Sequence, residues 1–180
     1  MKNYSIFTEN KDNFTTYTGM IHFDPVSRTK KQMNQADWKR VAMIMFDGEI
    51  AEFYSWLLEK RYGLKLNKPL RGAHISFIND SLRDIKAGLG VETEEEADDA
   101  WEKLREKWNG KKINVVLNVD IKTNGQHYWL IVPHSEREEI QSIRSEIGLG
   151  KPYFGLHMSV GYANERNIEQ SMYISKILNK

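Results

Sequence analysis

The chain has 180 residues, enough for one domain with a substantial core, and its 40% hydrophobic and 28% charged residues are those of a soluble globular protein. Its 26 basic and 25 acidic residues leave a formal net charge of +1, which lacks the footprint of a protein built to grip a long duplex. The absence of cysteine removes disulfides, thiolate nucleophiles and cysteine-ligated metal sites.

Residues 1–16, polar and rich in Asn and Thr, read as a flexible arm without the apolar core of a signal peptide. No apolar run reaches membrane-spanning length, so the expectation is a cytoplasmic protein with no membrane partner. A strand is predicted over 17–24, ending at Pro25, followed by a polar loop with Arg28, Lys30 and Lys31. From Asp37, taken as an N-cap, the spacing of Trp38, Val41, Ile44 and Met45 predicts a helix. A second helix is predicted over 48–62 with Ile50, Phe53, Tyr54 and Leu57 as its apolar stripe, then a strand over 73–78. The capping box Thr93-x-x-Glu96 opens a helix over 94–108, which buries Ala97, Ala100, Trp101, Leu104 and Trp108 and ends at Gly110. Its acidic start, Glu94–Glu96 with Asp98 and Asp99, suits the helix dipole and reads as solvated. Alternation of Ile113, Val115, Leu117, Val119 and Ile121, the turn Asn124-Gly125 and the returning run 127–132 make a hairpin that stops at Pro133. Ser135 is expected to cap a helix to about Ile147, closed by Gly148 and Gly150. A strand over 156–161 follows, and the last fifteen residues fit either a helix or a strand and loop. The outline is one α+β domain over 1–180.

One phrase occurs twice. Residues 68–77 read Lys-Pro-Leu-Arg-Gly-Ala-His-Ile-Ser-Phe, and residues 151–160 read Lys-Pro-Tyr-Phe-Gly-Leu-His-Met-Ser-Val. Lys, Pro, Gly, His and Ser recur at the same offsets. In a strand, alternate residues share a face. His74 and Ser76 therefore lie opposite Ala73, Ile75 and Phe77, and His157 and Ser159 lie opposite Leu156, Met158 and Val160. One His-x-Ser is an ordinary polar strand face. Two in a shared frame suggest two imidazoles and two hydroxyls converging on one cleft. That set suits in-line displacement at phosphorus: one neutral His takes a proton from the attacking oxygen, and one protonated His gives a proton to the leaving oxygen. The hydroxyls of Ser76 and Ser159 hold the phosphate.

The paired His-apolar-Ser-apolar strands resemble those of the 2H phosphoesterase superfamily. Its members include RNA 2′,3′-cyclic phosphodiesterases, 2′-5′ RNA ligase-like proteins and phage nucleases that destroy cyclic oligonucleotide immune signals. The resemblance implies a bilobal α+β fold, two pseudo-twofold-related lobes with antiparallel sheets around a central cleft. It implies catalysis by His74, Ser76, His157 and Ser159 without metal or other cofactor. The implied substrate is a small cyclic nucleotide or short oligonucleotide, and phage counter-defence is one role by analogy. The segment between the first strand and the first motif is longer than in compact members.

Around the motifs, Arg71 is a candidate phosphate contact, although Phe154 stands at its place in the second phrase. Tyr153 and Phe154 fit either base stacking or core packing. His22 on the first strand is a further candidate substrate contact, and Lys68 and Lys151 read as solvated. His127, His134, Tyr128 and Trp129 belong to no motif, and Trp129 is assigned to the core. Neither motif adds ligands at zinc spacing, so no metal site is expected. A non-catalytic module that sequesters a nucleotide is the alternative reading from a different functional class.

Overall fold

The computed structural model describes residues 13–25, 40–152 and 155–179. Alternation in the first strand turns Gly19, Ile21 and Phe23 inward from β1 (Phe14–Phe23) and leaves Thr18 and Met20 exposed and His22 half-buried. β2 (Ala42–Met45), helix α1 (Gly48–Tyr62) and β3 (His74–Ile78) follow, then helices α2 (Leu82–Leu89) and α3 (Glu94–Trp108). The second half runs through β4 (Lys112–Thr123), β5 (His127–Ile131), a 3-10 turn at His134–Glu136, α4 (Glu138–Ser145), β6 (His157–Tyr162) and α5 (Ile168–Leu178).

The six strands form a single antiparallel sheet in the order β3-β2-β1-β4-β5-β6. Each half contributes strand, strand, helix, strand, and its third strand lies at an outer edge. Phe14–Met20 of β1 pair with Lys112–Asn118 of β4 at the seam between the halves. That seam joins into one sheet the strands that the resemblance distributes between two. The edge strands β3 and β6 approach within 8 Å, Cα to Cα, and the sheet is nearly barrel-shaped.

Two ties stand out among those that hold the edges together. Asn67, on the approach to β3, exchanges both backbone hydrogen bonds with Tyr162 of β6, at 2.9 and 3.1 Å. Gly161 permits this: a Cβ there would lie 2.8 Å from the Asn67 carbonyl oxygen. The second tie is Arg144 of α4, fully buried, which donates to the Asp80 carboxylate at 2.7 and 2.9 Å and to the carbonyls of Phe77 and Gly150. It therefore links the end of β3 to the chain entering the second phrase.

All five helices among the described residues contribute to one core on the Ile21, Phe23, Ile44, Ile75, Leu117, Leu130 and Met158 face of the sheet. Tyr54 and Leu58 come from α1, Ile85 from α2, Trp101 and Leu104 from α3, Ile140 and Ile143 from α4, and Ile174 and Leu178 from α5. The opposite face carries the motif histidines. None of these helices is long and apolar enough to cross a membrane.

Several expectations are corrected. Ala42–Met45 is a strand, not part of a helix from Asp37: Ala42, Met43 and Ile44 are almost fully buried between β1 and β3, and so short an apolar run has no period of its own. Asp37 and Trp38 lie outside the described residues, as do Arg28, Lys30 and Lys31. β1 begins at Phe14, so residues 14–16 belong to the sheet and not to an arm. In α1 the buried side is Ala51, Tyr54 and Leu58, while Phe53 is exposed. Ser135 caps nothing; its hydroxyl donates to Glu136, and α4 starts at Glu138 without a side-chain cap. α2 was not anticipated, although Ser81 and Asp84 form a capping box at its start. The terminal segment is helical.

Candidate active site

Cross-strand register fixes which side chains can meet, because directly opposed residues in an antiparallel pair share a face. In β3, His74 is opposite Met45 and Ser76 opposite Met43; in β6, His157 is opposite Ile131 and Ser159 opposite Trp129. Met43 is in turn opposite His22 on β1. The motif residues and His22 therefore lie on the sheet face away from the core.

Curling of the sheet brings the two edges to one cavity of about 500 Å³. His74, Arg71, His157 and Ser159 all line it, together with Trp129, His127 and Tyr162. The size suits a nucleotide-sized ligand. Ser76 shares the His74 face of β3 but is not among the lining residues, and neither is His22, two strands in from the edge. Tyr153 and Phe154 lie outside the described residues.

The two imidazoles are held alike. His74 Nδ1 bonds the Gly72 carbonyl at 2.9 Å, and His157 Nδ1 bonds the Gly155 carbonyl at 2.7 Å. A carbonyl only accepts, so each Nδ1 carries the proton and each Nε2 is left for a ligand. The glycine of each phrase thus has a defined task. It lies two residues before the histidine and presents the carbonyl that fixes its tautomer. Gly72 does so with a left-handed φ of 72°, a conformation that favours glycine.

Burial pushes the His74 pKa below the ordinary imidazole value; the Gly72 hydrogen bond opposes this, and the nearby Arg71 and His157 charges add to it. Arg71 is itself buried, with one Nη 3.5 Å from the Pro25 carbonyl and 3.6 Å from Met43 Sδ. Burial lowers its pKa too, yet a guanidinium so far above neutrality stays charged. Lys68 is exposed and pairs with Glu52 at 2.5 Å, as a solvated lysine should.

Trp129 is not a core residue. It is half-buried, lines the cavity, and its ring centroid is 5.9 Å from that of His157. The run His127–Val132 is apolar at nearly every position, which hides its two faces. Tyr128, Leu130 and Val132 are fully buried, and His127, Trp129 and Ile131 take the other side. A histidine in the second set was the available signal that this face meets the cleft.

The arrangement can hold a small anion between two imidazole Nε2 atoms, with a hydroxyl, a guanidinium and an aromatic ring around it. Among the described residues, no three His, Asp or Glu side chains form a group that could hold a metal ion. No known protein family, curated protein or solved structure matches this chain.

Proposed function

We propose that this protein is a metal-independent phosphodiesterase that cleaves a cyclic or short nucleotide phosphodiester by two-histidine acid–base catalysis. The observation that carries the reading is the matched pair of Nδ1–carbonyl hydrogen bonds, which leaves the Nε2 of each histidine to a ligand, in two residues that line one cavity. His74 is the general base, since burial favours its neutral form. It takes a proton from water as the new P–O bond forms. His157, protonated, gives a proton to the leaving oxygen as the old P–O bond breaks, and exchange with solvent resets both. Two imidazoles cover both proton transfers, so the scheme is complete without a metal. Ser159 and Arg71 bind the non-bridging oxygens, and Trp129 offers a face for a base; Ser76 shares the His74 face of β3 without lining the cavity.

The finer fold assignment, a bilobal 2H phosphoesterase, belongs to the same proposal. It is supported by the repeated strand–strand–helix–strand order and by the equivalent edge positions of the two motifs. The substrate classes it implies are a cyclic oligonucleotide signal, as in phage counter-defence, or a terminal 2′,3′-cyclic phosphate.

The test is chromatographic product analysis after incubation in EDTA with 2′,3′- and 3′,5′-cyclic mononucleotides, cyclic di- and trinucleotides, and 2′-5′-linked oligoadenylate. Turnover that disappears in both His74→Ala and His157→Ala is the expected result. Tight binding with no turnover by the intact protein would replace the enzyme with a sequestering module. Activity lost to the chelator and restored by zinc would replace the mechanism.

A further inference from the structure

Beyond Trp129 the cleft continues into a second chamber of about 390 Å³. The two chambers share His127, Trp129 and His157, and the second is lined also by Arg137 and Gly155. Arg137 is only 8% exposed. Its Nε donates to the Val132 carbonyl at 2.7 Å and one Nη donates to His134 Nδ1 at 3.3 Å, both neutral partners. Arg40 and Arg144, also buried, are paired with carboxylates: Glu94 and Asp98 for the first, Asp80 for the second. Arg137 has none within 4.0 Å among the described residues, and its acidic sequence neighbours Glu136, Glu138 and Glu139 are exposed. A guanidinium taken out of water and given only neutral partners is costly unless an anion completes it. Its second Nη is 3.9 Å from where a Cβ at position 155 would stand, so the guanidinium lies against Gly155 at ordinary contact distance. The same Gly155 gives His157 its carbonyl, so the guanidinium and the imidazole both lie against one residue.

We propose that Arg137 forms a second phosphate subsite beside His157, so that the substrate carries another phosphate besides the one held between the two histidines. A guanidinium fork matches phosphate geometry, and Trp129 between the chambers offers a surface for the intervening nucleoside. The substrate class is then a nucleotide ligand with two phosphates, either a cyclic dinucleotide or longer or a cyclic mononucleotide with a terminal phosphate, and not a cyclic mononucleotide with one phosphate. This choice of substrate rests on the phosphodiesterase reading; the anion subsite does not.

The first measurement is a titration of ¹⁵N-labelled full-length protein with inorganic phosphate at tens of millimolar, read on arginine Nε–H signals. The Arg137 Nε–H, protected by its bond to Val132, should shift with phosphate. A signal that stays fixed overturns the subsite, whatever the protein turns over. A shift without turnover of any nucleotide keeps the subsite and removes the phosphodiesterase. The second measurement is calorimetry on His74→Ala protein, which holds ligands without cleaving them. The ligands are 2′,3′-cyclic AMP, its 5′-phosphorylated form and cyclic di-AMP. Arg137→Gln should weaken one or both two-phosphate ligands about tenfold or more and leave 2′,3′-cyclic AMP within about twofold. Loss on cyclic di-AMP alone makes the second group a diester, and loss on the 5′-phosphorylated ligand alone makes it a terminal monoester. Equal loss on all three, or no loss on any, overturns the proposal. Arg137→Lys, which keeps the charge, should retain part of the affinity, and melting temperatures confirm that both variants fold.

Discussion

The first half of the chain brings its cation inside the repeated phrase, and the second half brings it from elsewhere. Arg71 precedes His74 by three residues, while Phe154 stands at the matching place and Arg137 arrives from the turn before α4. Both guanidiniums are buried; Arg71 lines the main cavity with His74 and His157, and Arg137 lines the second chamber, which has His157 but not His74. The serines differ too: Ser159 lines the main cavity and Ser76 does not. The repeat therefore preserves the two imidazoles and the carbonyls that orient them, and lets the surroundings diverge. The proposed reaction asks for that pattern, since its two proton transfers need two like groups while recognition of an asymmetric ligand does not.

Replacing a histidine attacks the shared part of the comparison and carries the largest expected effect. His74→Ala and His157→Ala should each lower kcat by roughly 10²–10⁴-fold in EDTA, with the melting temperature little changed. The double variant should be scarcely worse than either single one, because one proton transfer without the other does not complete the displacement. Retention of more than a tenth of the activity in either single variant would sink the two-histidine scheme.

The motif strands were legible because their signal is local. Alternation and the His-x-Ser spacing place His74 and Ser76 on one face from sequence alone, and the Thr93–Glu96 box located α3 to the residue. Ala42–Met45 was not legible, since its strand character comes from two partners distant in the chain. Arg137 was missed for a related reason: nothing in its neighbourhood differs from an exposed helix start, and only the fold buries it next to Gly155. Trp129 was misread because a run of apolar residues does not say which alternate set faces the cleft. The single sheet was equally hidden, as the β1–β4 seam depends on pairing across about half the chain.

Arg144 sharpens the comparison by asking what holds the halves in register. Arg144→Met leaves the Asp80 carboxylate and the Phe77 and Gly150 carbonyls without their shared donor. The expected loss is about 2–4 kcal/mol in urea unfolding, since the partly exposed Asp80 carboxylate can rehydrate while the buried Phe77 carbonyl loses its donor. A loss below about 1 kcal/mol would mean the edges are held by the Asn67–Tyr162 bridge and core packing instead. The serines come next in size. Ser159→Ala should lower kcat about tenfold through a lost hydrogen bond to phosphate, and Ser76→Ala by less, because Ser76 stands back from the cavity. Equal effects would restore the symmetry that the cavity lining denies.

The smallest effect is the most diagnostic of His74 as the base. Burial holds its folded pKa below the ordinary value of 6.5, so the folded protein binds fewer protons than the unfolded chain between the two values. Stability from this group is whole above the unfolded pKa and is lost as pH falls through the folded one. The same depression sets activity: kcat/KM should fall on the acid side only once His74 is protonated, below pH 6.5. Arg71→Gln removes a positive charge beside it, so the acid limb should move up in pH, though short of the ordinary value because burial is the larger cause. Arg137→Gln, beside the other histidine, should leave that limb in place. An acid limb that ignores Arg71 and follows Arg137 would exchange the roles of the two histidines, and with them the end of the substrate that each chamber holds.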